Sequence, residues 1–239
     1  WYRFLGSWKK DPLALKGFIR MATTRGGNWP AGQAKIRLQA AGYLRTDNET
    51  IQGWTELLPI TDKQGKRGKP KTGRFLFLPR ERAFEGPRGW HLPAFDDSAW
   101  QQGIFPVGTS HGNRSTTIIP RGKRAVFARV HFRLDHTRFS RLRLLFRIRH
   151  LANVYLNGYL VARVLYTGNE GGYGTIYETL DLHPDAPRLL RKGDNVLALE
   201  GAYDLWWGIF EVGLYARPGE PPPQVVSPIP PAPATTTPH

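Results

Sequence analysis

The chain has 239 residues, 40% of them apolar and 12% aromatic with eight Trp, enough for a buried core in one large domain or two small ones. It holds no cysteine, which excludes disulfides, thiolate metal sites and cysteine nucleophiles. A net charge of +15 attracts acidic partners (anionic polysaccharide, lipid headgroups, nucleic acid or an acidic protein surface) without choosing among them.

No apolar run of about 18 residues occurs, so no transmembrane segment is expected. The chain starts at Trp1 rather than Met and reads as a processed or partial product, with an upstream signal or anchor left open.

Residues 1–73 read as an N-terminal extension. Asp11-Pro12 is suited to start a short helix through Leu13, Leu15, Phe18, Ile19 and Met21, and Gly26-Gly27 to stop it. Gln33 to Leu44 suits a helix or a strand. Residues 62–74 place six basic residues among three glycines and a proline. Like charges and glycine disfavour packing, so a solvated loop is expected there, with anion contact as the functional alternative. Aromatic rings are absent from this stretch, so nucleic acid is not the expected partner.

Residues 74–217 read as β structure. Phe75 to Leu78 form a short apolar run ending at Pro79, and residues 103–124, rich in Gly, Ser and Thr, read as a long loop. In 126–134 the even positions are Val, Ala, Val, Phe and Leu, while Arg129, His131 and Arg133 are odd. In 142–149 the even positions are Leu142, Leu144, Phe146 and Ile148, and Arg143, Arg147 and Arg149 are odd. Side chains alternate between the faces of a strand, so each strand is expected to bury one face and expose a row of arginines on the other. A helix would scatter those arginines around its axis. Asn157-Gly158, flanked by alternating apolar residues, predicts a type I′ hairpin. Further strands are expected at Thr175–Leu180, Asn195–Gly201 and Phe210–Ala216, with Lys192-Gly193-Asp194 as a turn. Many short strands with turn signals argue for an all-β sandwich.

Four motifs occur in order: Asp96-Asp97-Ser98-Ala99-Trp100, the Arg-bearing strand 126–134, Tyr155-Leu156-Asn157-Gly158, and Gly193-Asp194-Asn195-Val196-Leu197-Ala198. In that order they resemble the galactose-binding-like jelly-roll sandwich found beside glycoside hydrolase catalytic domains. The resemblance implies a module that binds or positions a ligand and does no chemistry. It also implies that any ligand sits in loops at one end of the sandwich. Asp96 and Ser98 suit a turn held by side chain to backbone bonds, and Trp100 suits a core plug.

Three candidate sites follow. Tyr203, Asp204, Trp206 and Trp207 suit a sugar, because C–H faces stack on rings and a carboxylate accepts hydroxyl hydrogen bonds. Two adjacent tryptophans in an extended segment cannot both face the core, so one is exposed or covered by a partner. Protein interface and plain loop packing are the competing readings. The glycine-rich loop at Tyr173 is the second candidate. The third is the arginine face of Arg129, Arg133, Arg143, Arg147 and Arg149, neutralised by acids of the same domain, by an external anion or by a partner subunit.

No catalytic residue is assigned. Asp96 and Asp97 are neighbours whose side chains should diverge, whereas a glycosidase needs two carboxyls about 5–10 Å apart. No metal-ligand pair, Gly-x-Ser-x-Gly elbow or phosphate loop is present, and no cofactor is called for. Residues 218–239 hold nine prolines and one charge, Glu220, and read as an extended Pro-rich tail. The expected function is non-catalytic binding of carbohydrate, including anionic polysaccharide, at the cell envelope or outside the cell. The alternative is an accessory subunit of a multi-protein complex, docked through the arginine face, the N-terminal segment and the tail.

Overall fold

The computed structural model describes residues 53–60, 70–110, 115–148, 151–165, 178–203 and 208–221. The helix expected at residues 11–21 and the helix or strand expected at residues 33–44 lie outside the described residues. So does nearly all of the Pro-rich tail.

Twelve strands are described: β1 (Thr55–Leu58), β2 (Thr72–Leu78), β3 (Gln101–Ile104), β4 (Val107–Gly108), β5 (Thr117–Ile118), β6 (Ala125–Leu134), β7 (Phe139–Ile148), β8 (Leu151–Leu156), β9 (Tyr159–Leu165), β10 (Glu178–Asp181), β11 (Gly193–Ala202) and β12 (Ile209–Pro218). They form two six-stranded sheets. One runs β10-β7-β12-β4-β5, with β1 also paired to β12; the other runs β3-β2-β6-β11-β8-β9. The chain is an all-β sandwich, as its short alternating strands predict.

The inner faces follow the alternation. Leu142, Leu144, Phe146 and Ile148 of β7 match Ala216, Leu214, Val212 and Phe210 of β12 in register, and all eight are buried. Val126, Ala128 and Val130 of β6 face the same way as Leu199 and Leu197 of β11. At Asn157-Gly158 both residues have positive φ, 49° and 95°, as the hairpin between β8 and β9 requires. The Asn157 amide also donates to Leu189 O and to Asn195 Oδ1, so the motif residues fasten this turn to the entry of β11.

Three expectations are corrected. The stretch 103–124 is not only loop: β4 and β5 lie within it as two-residue strands, too short to carry a periodicity. The basic stretch 62–74 is not solvated throughout. Lys71 is buried and donates to Pro59 O at 2.9 Å and to Val212 O, and Thr72 opens β2. Residues before 74 also contribute to the sandwich, because β1 pairs antiparallel with β12.

Candidate functional site

The arginines of β6 and β7 do not form one exposed face. The two strands follow each other in sequence but lie in different sheets, so their odd positions point to opposite outsides of the sandwich. Each outside is covered by chain.

Over the β6–β11 sheet lies the segment 79–100. It begins with a 3-10 turn at Arg80–Arg82 and ends with the Asp-Asp-Ser-x-Trp motif. Arg129 is its tie. This side chain is fully buried, and its Nε donates to Asp97 Oδ2 at 2.6 Å. The rest of the guanidinium donates to the carbonyls of Trp90, Leu92 (2.9 Å) and Phe95 (3.3 Å). Four hydrogen bonds from one guanidinium thus meet acceptors of a segment that has no ladder of its own to satisfy its carbonyls. His131, two residues along β6, shares Asp97 Oδ2 at 2.7 Å. Burial would raise the Asp97 carboxyl, but the hydrogen bonds and charges of His131 and Arg129 outweigh it and hold the group below its ordinary value. Asp96 turns the other way and accepts from the Ser98 amide at 2.9 Å, the turn bond expected of it.

The covered surface is aromatic. Trp90 meets Phe127 and Tyr155 edge-on at 5.0 and 5.3 Å and stacks on Trp100 at 6.4 Å. Trp100 is therefore a plug beneath this segment. Beside it Glu200 is buried and accepts from Tyr155 Oη at 2.6 Å and Asn153 Nδ2 at 2.8 Å. Burial pushes its carboxyl above the ordinary glutamate value.

Over the β7–β12 sheet the ties are pairs of charges. Arg143 grips Asp181 with Nε at 2.5 Å and Nη2 at 2.9 Å, and its guanidinium lies 4.4 Å from the Trp54 ring. Arg147 pairs with the buried Glu211 at 3.6 Å. Lys71 Nζ sits 4.6 Å from the Phe105 ring centre. Burial lowers its pKa to about 8, while Glu211 and Glu56 pull it upward. Of the four predicted arginines that are described only Arg133 is exposed on its sheet, 3.9 Å from Asp194; Arg149 lies outside the described residues. The exposed arginine face is therefore corrected: Arg129, Arg143 and Arg147 are buried ties.

The aromatic candidates divide. Asp204, Trp206, Trp207 and Tyr173 lie outside the described residues. Tyr203 is described and buried; its hydroxyl donates to Lys123 O at 2.8 Å. A Cβ on Gly208 would come within 2.7 Å of the Tyr203 ring, so glycine at 208 lets the two flanks of residues 204–207 approach.

Register then locates the stretches that carry the other candidates. Leu151 pairs with both Ala202 and Leu165, and Ala202 pairs with Ala125. Ile148 pairs with Phe210, Phe210 with Val107, and Glu178 with Phe146. The described ends of 149–150, 166–177 and 204–207 thus leave from one end of the sandwich. Among the described residues no group of three His, Cys, Asp or Glu is placed to hold a metal ion, and no helix is long and apolar enough to cross a membrane.

Two six-stranded sheets, with the segment 79–100 laid over one of them, define a two-sheet β-sandwich domain. No family model matches the chain, and no curated protein matches it. Among solved structures it is similar to a β-glycosidase from Bacteroides vulgatus, with 16% identity over 60% of this chain and 20% of that one and a TM-score of 0.37. It is similar also to a Bacteroides uniformis β-glucuronidase, with 17% identity, 62% and 17% coverage and a TM-score of 0.41. For a Ruminococcus gnavus β-glucuronidase in complex with uronic isofagomine the values are 16%, 62%, 27% and 0.41. The chain spans less than a third of the length of each. At these scores the likeness carries no argument about activity or ligand.

Proposed function

We propose that this chain is a non-catalytic carbohydrate-binding β-sandwich of the galactose-binding-like class, acting at the cell envelope or outside the cell, with anionic polysaccharide among its ligands. The observation that carries this reading is the convergence of strand ends at one end of the sandwich. From that end leave the two stretches holding Tyr173 and Asp204, Trp206 and Trp207. Ring faces beside a carboxylate are the chemistry a sugar needs, and clefts between loops are where such groups converge. The order of the sequence motifs supports the class. The absence of a catalytic role is supported by the paired aspartates, since Asp97 is held by Arg129 and His131 and Asp96 by its own turn.

The accessory-subunit reading is weaker, because three of the arginines it would dock through are buried ties. A glycan microarray of neutral and uronate-containing oligosaccharides tests the choice. Binding that falls at least tenfold in both Trp206→Ala and Trp207→Ala, with unchanged thermal stability, is the expected result. No glycan retained by the wild type, or binding indifferent to both substitutions, would overturn the reading.

A further inference from the structure

Exposed charge gathers at the opposite end of the sandwich. There the turn between β6 and β7, the entry to β11 and the exit of β12 come together. Leu134 pairs with Gly193, and Phe139 with Pro218. Gly219 N donates to Arg138 O, and Ser140 Oγ to the carbonyls of Arg217 and Pro218.

Arg141 and Arg217 are direct cross-strand partners, and both are exposed. Like charges placed opposite each other destabilise a sheet, so this pair weakens the fold it belongs to. Arg138 stands beside them, and Arg191 and Lys192 lie on the neighbouring turn, all exposed. With Arg133 they make six exposed cations on these elements, against three exposed acids, Asp135, Asp194 and Glu220. Five of the six are arginines, whose planar fork pairs two bonds at a time with a carboxylate or sulfate.

We infer that this end is a second binding surface, for an acidic polysaccharide, built on Arg138, Arg141 and Arg217 and extended by Arg191 and Lys192. The proposal is independent of the end from which residues 166–177 and 204–207 leave. Its chemistry selects among polyanions. A protein partner or a lipid surface wants exposed apolar anchors, and among the described residues the exposed large apolar side chains, Leu92 and Ile118, belong to other elements. A DNA duplex carries a charge about every 1.7 Å, and three acids among the cations oppose so dense an anion. A uronate polymer is sparser, and its carboxylates match single arginine forks. Trp54 is half-buried with Arg217 5.7 Å from its ring, which adds an aromatic edge beside the cations.

The test is affinity electrophoresis of the full chain in gels containing polygalacturonate, with dextran as the neutral control. Three proteins are compared: wild type, Arg138→Ser/Arg141→Ser/Arg217→Ser, and Arg82→Ser/Arg88→Ser/Arg121→Ser. The last removes three exposed charges from other elements. The wild type should be retarded by polygalacturonate and not by dextran, and less so as salt rises. The first variant should lose at least tenfold in affinity, the second less than twofold, and Trp206→Ala should change little. Failure of the tryptophan variants on the microarray bears on the other end alone. Equal loss in both triple variants, no retardation of the wild type, or tighter binding to a DNA duplex or to phosphatidylglycerol vesicles would each overturn the proposal.

Discussion

The two outer faces of the sandwich solve one problem differently. Both carry arginines at alternate strand positions, and both are covered by chain that precedes the long strands. On the β6–β11 face a single cation, Arg129, serves three backbone carbonyls and one carboxylate, over a bed of Trp90, Trp100, Phe127 and Tyr155. On the β7–β12 face the cations are matched with acids, Arg143 with Asp181 and Arg147 with Glu211, and the described cover is side chains, Trp54 and Ile60, which flank the in-sheet strand β1 and pack on Leu145 and Tyr215. An irregular segment needs donors from the sheet below it; side chains packed on the sheet do not. The same alternation therefore produces a backbone clamp on one side and ion pairs on the other.

Removing the clamp should have the largest effect. Arg129→Ala leaves Asp97 and buried carbonyls without their donor, and should cost about 3–5 kcal/mol in urea unfolding. A cost below about 1 kcal/mol would mean that the segment 79–100 holds itself in place.

Lys71 sharpens the contrast from the other face. Its folded pKa is about 8 against the ordinary 10.5. Below pH 8 both folded and unfolded forms carry the proton and the native state bears the cost of burying it. Above 10.5 neither form carries it. The stability of the wild type relative to Lys71→Met should therefore rise between pH 8 and 10.5, by on the order of 3 kcal/mol. Parallel stability curves for the two proteins would show that the ammonium is well accommodated by Pro59 O, Val212 O and the Phe105 ring.

Arg133 sets the lower limit. It lies on the same odd row as Arg129 but is exposed and 3.9 Å from an equally exposed Asp194. Arg133→Ala should change stability by no more than about 0.5 kcal/mol. A larger loss would show that something covers this end of β6 as well.

The sequence announces the strands but not their covers. Residues 126–134 and 142–149 alternate cleanly, and Asn157-Gly158 marks a turn by chemistry that is local, whereas Gly193-Asp194-Asn195, expected as a turn, opens β11. The fate of Arg129 is not local. Its carboxylate partner is 32 residues earlier in an irregular segment, and alternation tells which face a residue takes without telling what lies on that face. The same holds for Arg143, whose partner Asp181 is 38 residues on. Strands of two residues such as β4 carry no period, and β1 is recognised only by the strand it pairs with. Glu200 gave a weak signal, a lone acid inside an apolar strand, which marks a buried hydrogen-bonded group. For the candidate site, the aromatic residues are plain in the sequence, whereas the convergence of their flanking strands at one end comes only from register.

The central claim is that the buried sheet arginines Arg129, Arg143 and Arg147 hold the fold together and that binding belongs to the ends of the sandwich. Phenylglyoxal labelling of the native protein, read residue by residue by mass spectrometry, addresses it most directly. Arg133, Arg138, Arg141 and Arg217 should react readily, while Arg129, Arg143 and Arg147 stay unmodified until the protein is unfolded. Native labelling of Arg129 and Arg143 at the rate of Arg133 would contradict the account.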